Sequence, residues 1–328
     1  MLSEFRQDLV SGDWVLFATG RTDRPHDITP REQVSASKDT CPFEHLEQSG
    51  NPAVWMYPAG PDWTVALIQN KYPAVQTGTC GPTMQRGVFA VHQAIGAHDV
   101  FVFRDHDIHP ADLPLEQTVN LIRAYKKRYQ EVRDMGGCTE YILIFHNFGK
   151  EAGASIAHPH SQILSTPIVP PDVSRSLHGA QRFYEQNKKR VYDVMIEWEK
   201  SEGKRVVFEN DFFIAFCPYV SRNPYEVRIF AKDSHAHFER MPDTLDAPFA
   251  EILNTVLKKI KAALGDPAYN FFIHTAPAES SLGDLHQFYA WHVEILPKIK
   301  IDAGFEIGTG IDINPVDPDE AASRLRQA

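Results

Sequence analysis

Two histidines and a glutamine alternate in residues 158–162, which read His-Pro-His-Ser-Gln. On a β-strand, side chains two residues apart point to the same face, so His158, His160 and Gln162 would lie together. Imidazole has a pKa of about 6.5 and is mostly neutral near pH 7, so it can act as a nucleophile or bind a metal. Three polar side chains on one strand face are costly to bury unless they line a site. The pattern therefore predicts a functional site; the alternative is a set of ordinary hydrogen-bonded histidines.

A glycine-containing loop precedes this strand. Residues 147–155 read Asn-Phe-Gly-Lys-Glu-Ala-Gly-Ala-Ser. Glycines such as Gly153 let backbone amides approach a ligand closely, while Asn147 and Ser155 add an amide and a hydroxyl group. This set of groups is suited to holding a diphosphate, although the loop alone would be weak support.

The elements that position these residues follow from periodicity. Short runs rich in β-branched and aromatic residues predict strands at 14–18, 64–69, 87–92, 100–103, 141–146 and 158–166. Apolar residues recur at three- and four-residue steps from Leu115 to Val132, which predicts an amphipathic helix that begins near Asp112 and ends at Gly136.

The same order of elements returns in the second half of the chain. We predict a helical segment at about 174–200, strands at 205–208, 212–216 and 226–230, a helix at 248–264, and strands at 269–274 and 288–296. Residues 157–164 resemble residues 289–296, an alignment that pairs His160 with His292 but His158 with Ala290. An internal duplication of an α+β unit is therefore predicted, with the second copy lacking one histidine.

Composition excludes several classes of protein. The 328 residues include 33 basic and 43 acidic side chains, and this net charge of −10 argues against a nucleic-acid partner. No apolar run is long enough to predict a membrane span. The four cysteines have no repeating spacing and the first residues do not resemble a signal peptide, so we expect no disulfide framework and a cytoplasmic location.

Several short motifs occur in a defined order along nearly the whole chain. They are Arg21-Thr-Asp-Arg24-Pro25, Cys41-Pro42-Phe43, Asn70-Lys71-Tyr72-Pro73, Asp105-His106, the loop at 147–155, the strand at 158–162, and the glycine-rich stretch at 304–310. With these motifs the chain resembles the galactose-1-phosphate uridylyltransferases of the histidine-triad superfamily, which have plant-type ADP-glucose phosphorylases as close relatives.

This resemblance implies a fold and an assembly. The expected fold is a duplicated histidine-triad α+β fold made of two antiparallel-sheet halves with helices. Residues 1–170 would form the half with the nucleophile and a metal site, and residues 171–328 a degenerate half that contributes to sugar-phosphate binding. A homodimer is also expected from the resemblance.

The resemblance also implies catalytic roles. His160 would be the nucleophile that carries the nucleotidyl group, with Ser155 and Gln162 beside it. Gln162 stands where histidine-triad hydrolases have another histidine; an amide can hydrogen-bond a phosphoryl oxygen but has no titrating proton. This difference favours transfer over hydrolysis.

Further residues match substrate-binding positions of the family: Arg21, Arg24, Asn70, Asn147, Gly153, Gln162, Lys300 and Glu306. Arg21 and Arg24 would contact phosphates, or else form a solvated charged turn. Glu306 would bind hexose hydroxyls, while either Lys298 or Lys300 would reach the sugar phosphate.

A structural zinc site is implied by His158, His106, Cys41 and Glu44. Glu44 replaces a cysteine of the family, and zinc accepts such a mixed ligand set. The alternatives are an empty site in which Cys41 is a small buried apolar residue, or a site with His45 as a substitute ligand. Because Ala290 replaces a histidine of the iron site found in some members, no iron is expected.

The predicted activity is ping-pong nucleotidyl transfer through a nucleotidyl-histidine. UDP-glucose and galactose 1-phosphate form the leading substrate pair, and an ADP-sugar phosphorylase that uses inorganic phosphate is the alternative. A nucleotide hydrolase and a noncatalytic nucleotide sensor are the hypotheses from other classes; release of free nucleotide in water alone, or binding without turnover, would distinguish them.

Overall fold

Short strands and six helices make up the structure, a computed structural model that describes residues 3–21, 37–136, 138–278 and 283–328, without the side chain of Arg21. The strands are β1 (Glu4–Gln7), β2 (Trp14–Phe17), β3 (Trp55–Tyr57), β4 (Val65–Gln69), β5 (Met84–Arg86), β6 (Phe89–Val91), β7 (His98–Phe103), β8 (Tyr141–Phe148), β9 (His160–Thr166), β10 (Val206–Glu209), β11 (Phe213–Phe216), β12 (Val227–Ala231), β13 (Tyr269–His274), β14 (His292–Pro297) and β15 (Asp312–Asn314). The helices are α1 (Leu115–Asp134), α2 (Pro171–Asn187), α3 (Val191–Glu202), α4 (Asp246–Leu264), α5 (Gly304–Thr309) and α6 (Pro318–Gln327).

Ten strands form one continuous antiparallel sheet through both halves of the chain. Their order is β10-β11-β12-β14-β13-β8-β9-β7-β4-β3, so each half contributes five strands in the same internal order. Along the chain, helix α1 follows β7 and precedes β8, and α4 likewise follows β12 and precedes β13. The predicted duplication is therefore confirmed, and the two copies join where β8 pairs with β13, which we call the seam. The division at residue 170 stays a prediction.

Helices α1 and α4 cover one face of the sheet. Ile122 and Tyr125 of α1 are buried in a core with Ile144 and Ile163 of the sheet, and α1 also packs against α4. Full burial of each large apolar side chain contributes about 1.5–3 kcal/mol. This core holds the central strands rigidly, and the side chains on their other face are therefore well positioned.

The opposite face is covered by different segments in the two halves. In the first half, residues 43–56 pack against Ala66, Ile68, Val100 and Val102. In the second half, α2 and α3 cover β11 and β12. We call residues 43–56 the covering segment; it places Phe43 and its neighbours over the strand that begins at His160.

The predicted boundaries differ from the structure at a few places. The strand expected at 158–166 begins at His160, because Pro159 has no N–H to donate to the ladder. The helical segment at 174–200 is two helices, since Lys188 adopts a left-handed conformation with φ of 55°. The strand expected at 87–92 is the second strand of a separate hairpin, β5-β6, whose side chains are mostly exposed.

The expectation of no disulfide is wrong. Cys80, which precedes the β5-β6 hairpin, is bonded to Cys138 after α1, and the two residues are 58 positions apart. Cys41 and Cys217 are free and buried. Irregular cysteine spacing gave no signal of this pairing, because it depends on how α1 folds back over the sheet.

In the described part of the chain, no helix combines the length and the hydropathy needed to cross a bilayer.

Loss of this disulfide should destabilise the protein. Cys80→Ser frees a loop of 58 residues in the unfolded chain, so the free energy of unfolding should fall by about 2–4 kcal/mol. Urea unfolding of the oxidised proteins measures this difference. Dithiothreitol should lower the stability of the wild type to that of the variant and leave the variant unchanged. Equal stability of the two oxidised proteins would contradict the prediction.

Candidate active site

A cavity of about 160 Å³ lies beside His160, between β4, β7, β9 and the covering segment. Its wall includes four of the residues expected from the sequence: Asn70, Ser155, His160 and Gln162. Apolar side chains, among them Phe43, Ile68 and Val100, form much of the remaining wall. A small, mostly apolar cavity with a few convergent polar groups is typical of a ligand site.

The imidazole of His160 has a defined orientation. Its Nδ1–H donates a hydrogen bond of 2.9 Å to the carbonyl oxygen of His158. In a neutral imidazole, a protonated Nδ1 leaves Nε2 with the lone pair. The side chain is only 7% exposed, and the ring centroid of Phe43 lies 5.2 Å from that of His160. Burial lowers the pKa of His160. The ring is therefore neutral at physiological pH and has an unprotonated nitrogen.

Strand β9 is anchored from behind by a buried polar group. Ser161 Oγ lies 2.5 Å from Tyr125 Oη on α1 and 2.9 Å from His146 Nδ1 on β8. Burial lowers the pKa of His146 to about 3, so this histidine is neutral. These bonds attach the strand to its neighbours on the face opposite His160, and thus restrict its movement.

The glycine-containing loop is braced by the second half of the chain. Gly149 and Gly153 have φ of 84° and 87°, values that favour glycine, and a Cβ at Gly149 would lie 2.6 Å from Ala268 Cβ. Asn270 Nδ2 donates to Asn147 Oδ1 at 2.7 Å and to the carbonyl of Ala152 at 2.8 Å. Asn147 and Gly153 do not line the cavity. Asn147 does lie close to His160 on the adjacent strand, since its neighbour His146 pairs with Ser161.

Two residues that support the site, Asn270 and His98, were not predicted from the sequence. His98 Nε2 lies 2.9 Å from Gln162 Oε1. Both contacts join strands that are far apart in the sequence, and neither residue lies within a recognisable motif. For His98, the sequence offers one signal: it alternates with Val100 and Val102, so these three residues share a face of β7.

The proposed metal ligands are close together. Ligand atoms of Cys41, His106 and His158 all lie within 4.8 Å of one another. His158 Nδ1 is 3.5 Å from Cys41 Sγ and 3.8 Å from Glu44 Oε2. His45 is exposed and is not in this group. The structure thus brings together the four residues that the sequence suggested.

Hydrogen bonding in this cluster fits a cation. His158 Nε2–H donates to the carbonyl of Phe103 at 2.5 Å, and His106 Nδ1–H donates to Asp107 Oδ1 at 2.9 Å. Each ring therefore has its other nitrogen free of hydrogen, as a ligand must. His106 Nε2 and Glu44 Oε2 are buried without a hydrogen-bond partner. Such unsatisfied groups cost about 1–3 kcal/mol each, and a bound cation would satisfy both.

In the second half, His292 and Glu294 occupy the positions of His160 and Gln162, and the charge at the second position is different. His292 Nδ1–H donates to the carbonyl of Ala290 at 3.0 Å, as His160 does to His158. Glu294 replaces Gln162, and it is bonded to Arg228 at 3.2 Å and to His274 at 3.1 Å. Burial lowers the pKa of His292 to about 3. A carboxylate in this position is unfavourable for a phosphate group, so the second copy is unsuited to the same chemistry.

Lys300 and Glu306 do not line the cavity beside His160. Lys300 Nζ is bonded to Asp312 Oδ1 and to the carbonyl of Ile313, both at 3.2 Å. Glu306 Oε2 accepts the backbone N–H of Ala303 at 3.1 Å. Arg24 lies outside the described residues, as does the side chain of Arg21.

Comparison with solved structures defines the class. The crystal structure of an ADP-glucose phosphorylase from Arabidopsis thaliana with bound ADP-glucose has a TM-score of 0.84 and 30% identity, and the match covers 100% of this chain and 99% of that one. A structure described as a uridylyltransferase has a TM-score of 0.76 and 28% identity, with 99% and 98% coverage. The chain is an enzyme, a nucleotidyltransferase with a duplicated histidine-triad fold.

Sequence comparison defines the family. The model for the N-terminal domain of galactose-1-phosphate uridyl transferase matches residues 1–170, and a domain of unknown function (DUF4921) matches residues 89–328. The chain therefore belongs to the galactose-1-phosphate uridylyltransferase family. It is 33% identical to ADP-glucose phosphorylase of Arabidopsis thaliana, covering 99% of this chain and 92% of the relative. It is 28% identical to galactose-1-phosphate uridylyltransferase of Thermotoga maritima, with 99% and 98% coverage.

Proposed function

We propose that this enzyme transfers a nucleoside monophosphate from a nucleoside-diphosphate hexose to a second phosphate acceptor, with His160 as the covalent carrier. The hydrogen bond from His160 Nδ1 to the His158 carbonyl carries the proposal, because it leaves Nε2 unprotonated beside the cavity. A nucleophile that needs no deprotonation can attack phosphorus directly.

The reaction would consist of two displacements. In the first, the Nε2 lone pair of His160 attacks the α-phosphorus, the bond to the bridging oxygen breaks, and hexose 1-phosphate leaves with that electron pair. The nucleotidyl-imidazolium keeps its Nδ1–H bonded to the His158 carbonyl, which stabilises the positive charge. In the second, an acceptor phosphate oxygen attacks the same phosphorus and the electron pair of the N–P bond returns to Nε2. Neither displacement requires a proton transfer, so Gln162 suffices where a hydrolase would have a histidine.

The surrounding residues would bind the donor. The Gln162 amide and the Ser155 hydroxyl would donate to phosphoryl oxygens, and the backbone near Gly153 would bind the diphosphate together with Asn147. Asn70 would contact the nucleoside, with Ile68 and Val100 against the base. Arg21 and Arg24 would contact phosphates.

UDP-glucose with galactose 1-phosphate is our leading substrate pair. ADP-glucose with inorganic phosphate is the second candidate, favoured by the 33% identity and the TM-score of 0.84 with the Arabidopsis phosphorylase. The two candidates share the first displacement on His160 and differ in the base and in the acceptor.

One experiment tests the proposal and separates the candidates. The protein is incubated with UDP-glucose or with ADP-glucose, without an acceptor, and its intact mass is measured. Addition of one uridylyl or one adenylyl group identifies the donor; galactose 1-phosphate and inorganic phosphate are then added separately to see which removes the adduct. Free nucleotide released by water alone would indicate a hydrolase. Binding without any adduct or turnover would indicate a sensor.

We further propose that the Cys41 cluster binds one zinc ion. Cys41 Sγ, Glu44 Oε2, His106 Nε2 and His158 Nδ1 would be its ligands, a mixed set that zinc accepts. The ion would fasten the covering segment to β9, and the support is the pair of buried, unpartnered ligand atoms. Its role would be structural, since the nucleophile is a different residue of the same strand.

A homodimer in which each copy completes the other's site is our proposal for Lys300 and Glu306. The surrounding segment exposes apolar side chains: Ile301 is 87% exposed, Phe305 43% and Ile307 78%. Such residues are expected at an interface. Packing of this segment against a second copy would explain why Glu306 is absent from the cavity of its own chain.

Glu306→Ala should weaken use of the sugar phosphate. A carboxylate bonded to hexose hydroxyls contributes roughly 2 kcal/mol or more, so kcat/KM for hexose 1-phosphate should fall about thirtyfold. Steady-state kinetics with hexose 1-phosphate as the varied substrate measures this. Glu306→Gln, which can keep the bond to the Ala303 amide, separates the effect from loss of the helix cap. The exposed Glu320→Ala is the control that should change nothing. Unchanged kinetics in Glu306→Ala would remove this residue from the site.

A further inference from the structure

His98 contacts two residues of the cavity wall, Asn70 and Gln162, and the backbone of a third residue outside it, Ala74. It is the first residue of β7, and its Nε2 lies 2.9 Å from Gln162 Oε1 and 3.1 Å from Asn70 Nδ2. Its Nδ1 accepts a hydrogen bond of 3.0 Å from the backbone N–H of Ala74. His98 is not among the residues that line the cavity, but two of the residues that it contacts are.

The contact with Ala74 determines the tautomer of His98. A ring nitrogen that accepts a backbone N–H carries no hydrogen, so a neutral His98 has its hydrogen on Nε2. Asn70 Nδ2 cannot accept this hydrogen, because it is itself an amide donor whose oxygen already accepts the backbone N–H of Tyr72. The atom of Gln162 that faces Nε2 must then be the acceptor, which is the amide oxygen. A glutamine amide has nearly the same shape in either orientation, and only its hydrogen-bond partners decide between them. The NH2 group of Gln162 is therefore the end that remains for a ligand.

The orientation of Gln162 determines the sign of its interaction with a phosphate. The NH2 group donates to a phosphoryl oxygen and stabilises the negative charge that develops there. With the amide turned over, its oxygen would face the phosphate and repel it. A residue on the adjacent strand thus controls whether Gln162 assists the reaction.

We propose that His98 is a positioning residue, which, as the Nε2–H tautomer, holds Gln162 with its NH2 group toward the phosphoryl group that is transferred to His160. This inference rests on the proposed function of His160. His98 acts through Gln162 and does not contact the substrate.

A double-mutant cycle tests this inference. The rate of adduct formation in a single turnover is measured for the wild type, His98→Ala, Gln162→Ala and the double variant. Each single variant should be slower by roughly tenfold or more, and the double variant should be no slower than Gln162→Ala. A merely structural role of His98 would slow the reaction whether or not Gln162 is present. Donor affinity, measured separately, should change less than the rate.

Two further variants complete the test. His98→Gln retains an amide that can donate to Gln162, and it should keep more of the rate than His98→Ala; it also replaces the alanine in the cycle if that variant does not fold. His178→Ala, at an exposed histidine of α2, should leave the rate unchanged. An equal effect of the His98 substitution with and without Gln162 would overturn the inference and leave the proposed function intact. Failure of the wild type to form an adduct with any donor would reject both.

Discussion

His160→Gly should abolish both the covalent adduct and the transferase activity. The variant lacks the nitrogen that attacks phosphorus, and loss of a covalent nucleophile lowers the rate by roughly 10⁴-fold or more. Incubation with the donor that labels the wild type, followed by mass measurement, should show no added mass. The wild-type adduct should be labile to acid and stable to base, as a phosphoramidate is.

The second half provides a matched control for this variant. His292 occupies the equivalent position on β14 and makes the same hydrogen bond to the residue two positions earlier. His292→Gly should therefore keep the adduct, although the cavity it leaves will lower stability. Added imidazole should restore part of the activity of His160→Gly by occupying the vacated space. Full activity in His160→Gly, or an adduct located on His292, would show that the wrong half has been assigned to catalysis.

Removal of the proposed zinc ion should lower the stability of the protein. Elemental analysis of protein purified without added metal should give about one zinc per chain. Chelation should then lower the free energy of unfolding by roughly 3 kcal/mol or more, because a ligand that binds only the folded state stabilises it by mass action. Unfolding should begin in the covering segment of the first half, which the ion would hold against β9.

Variants of the cluster distinguish its members. His106→Ala should lose zinc, whereas His45→Ala should retain it, since His45 is exposed and lies outside the group. Glu44→Cys should bind zinc more tightly, because a thiolate is a better zinc ligand than a carboxylate. Absence of zinc together with a melting temperature that chelators do not change would mean that the site has been lost through the replacement of a cysteine by Glu44.

Local sequence patterns predicted the elements and site residues whose placement depends on residues nearby in the sequence. The long helices α1 and α4 have strong 3.6-residue periodicity, and the structure contains both. The alternation at 158–162 and the adjacent loop identified His160, Gln162 and Ser155, which the structure places around one cavity. His160 and Gln162 share a face because they are two residues apart on β9, and Ser155 lies in the loop that leads into this strand.

Contacts between distant strands could not be predicted in this way. His98 and Gln162 meet because β7 pairs with β9, and Asn270 reaches Asn147 because β13 pairs with β8. The disulfide of Cys80 and Cys138 likewise depends on the tertiary fold. The positions of Lys300 and Glu306 in the proposed site came from family resemblance, and in our proposal a second copy of the chain would bring them to the cavity.

The seam has a consequence for synthesis of the protein on the ribosome. Strand β8 (Tyr141–Phe148) is synthesised long before its partner β13 (Tyr269–His274). In the folded chain, Ile144 of β8 pairs with Ile273 of β13. Until residues 269–273 emerge, β8 presents an unpaired edge next to β9, and nascent chains with such an edge are prone to pair with each other. The two halves are related copies, so the edge of β8 is already shaped to accept an antiparallel partner. A first half made alone would therefore be expected to associate through β8 with another first half, in the place that β13 occupies in the complete chain.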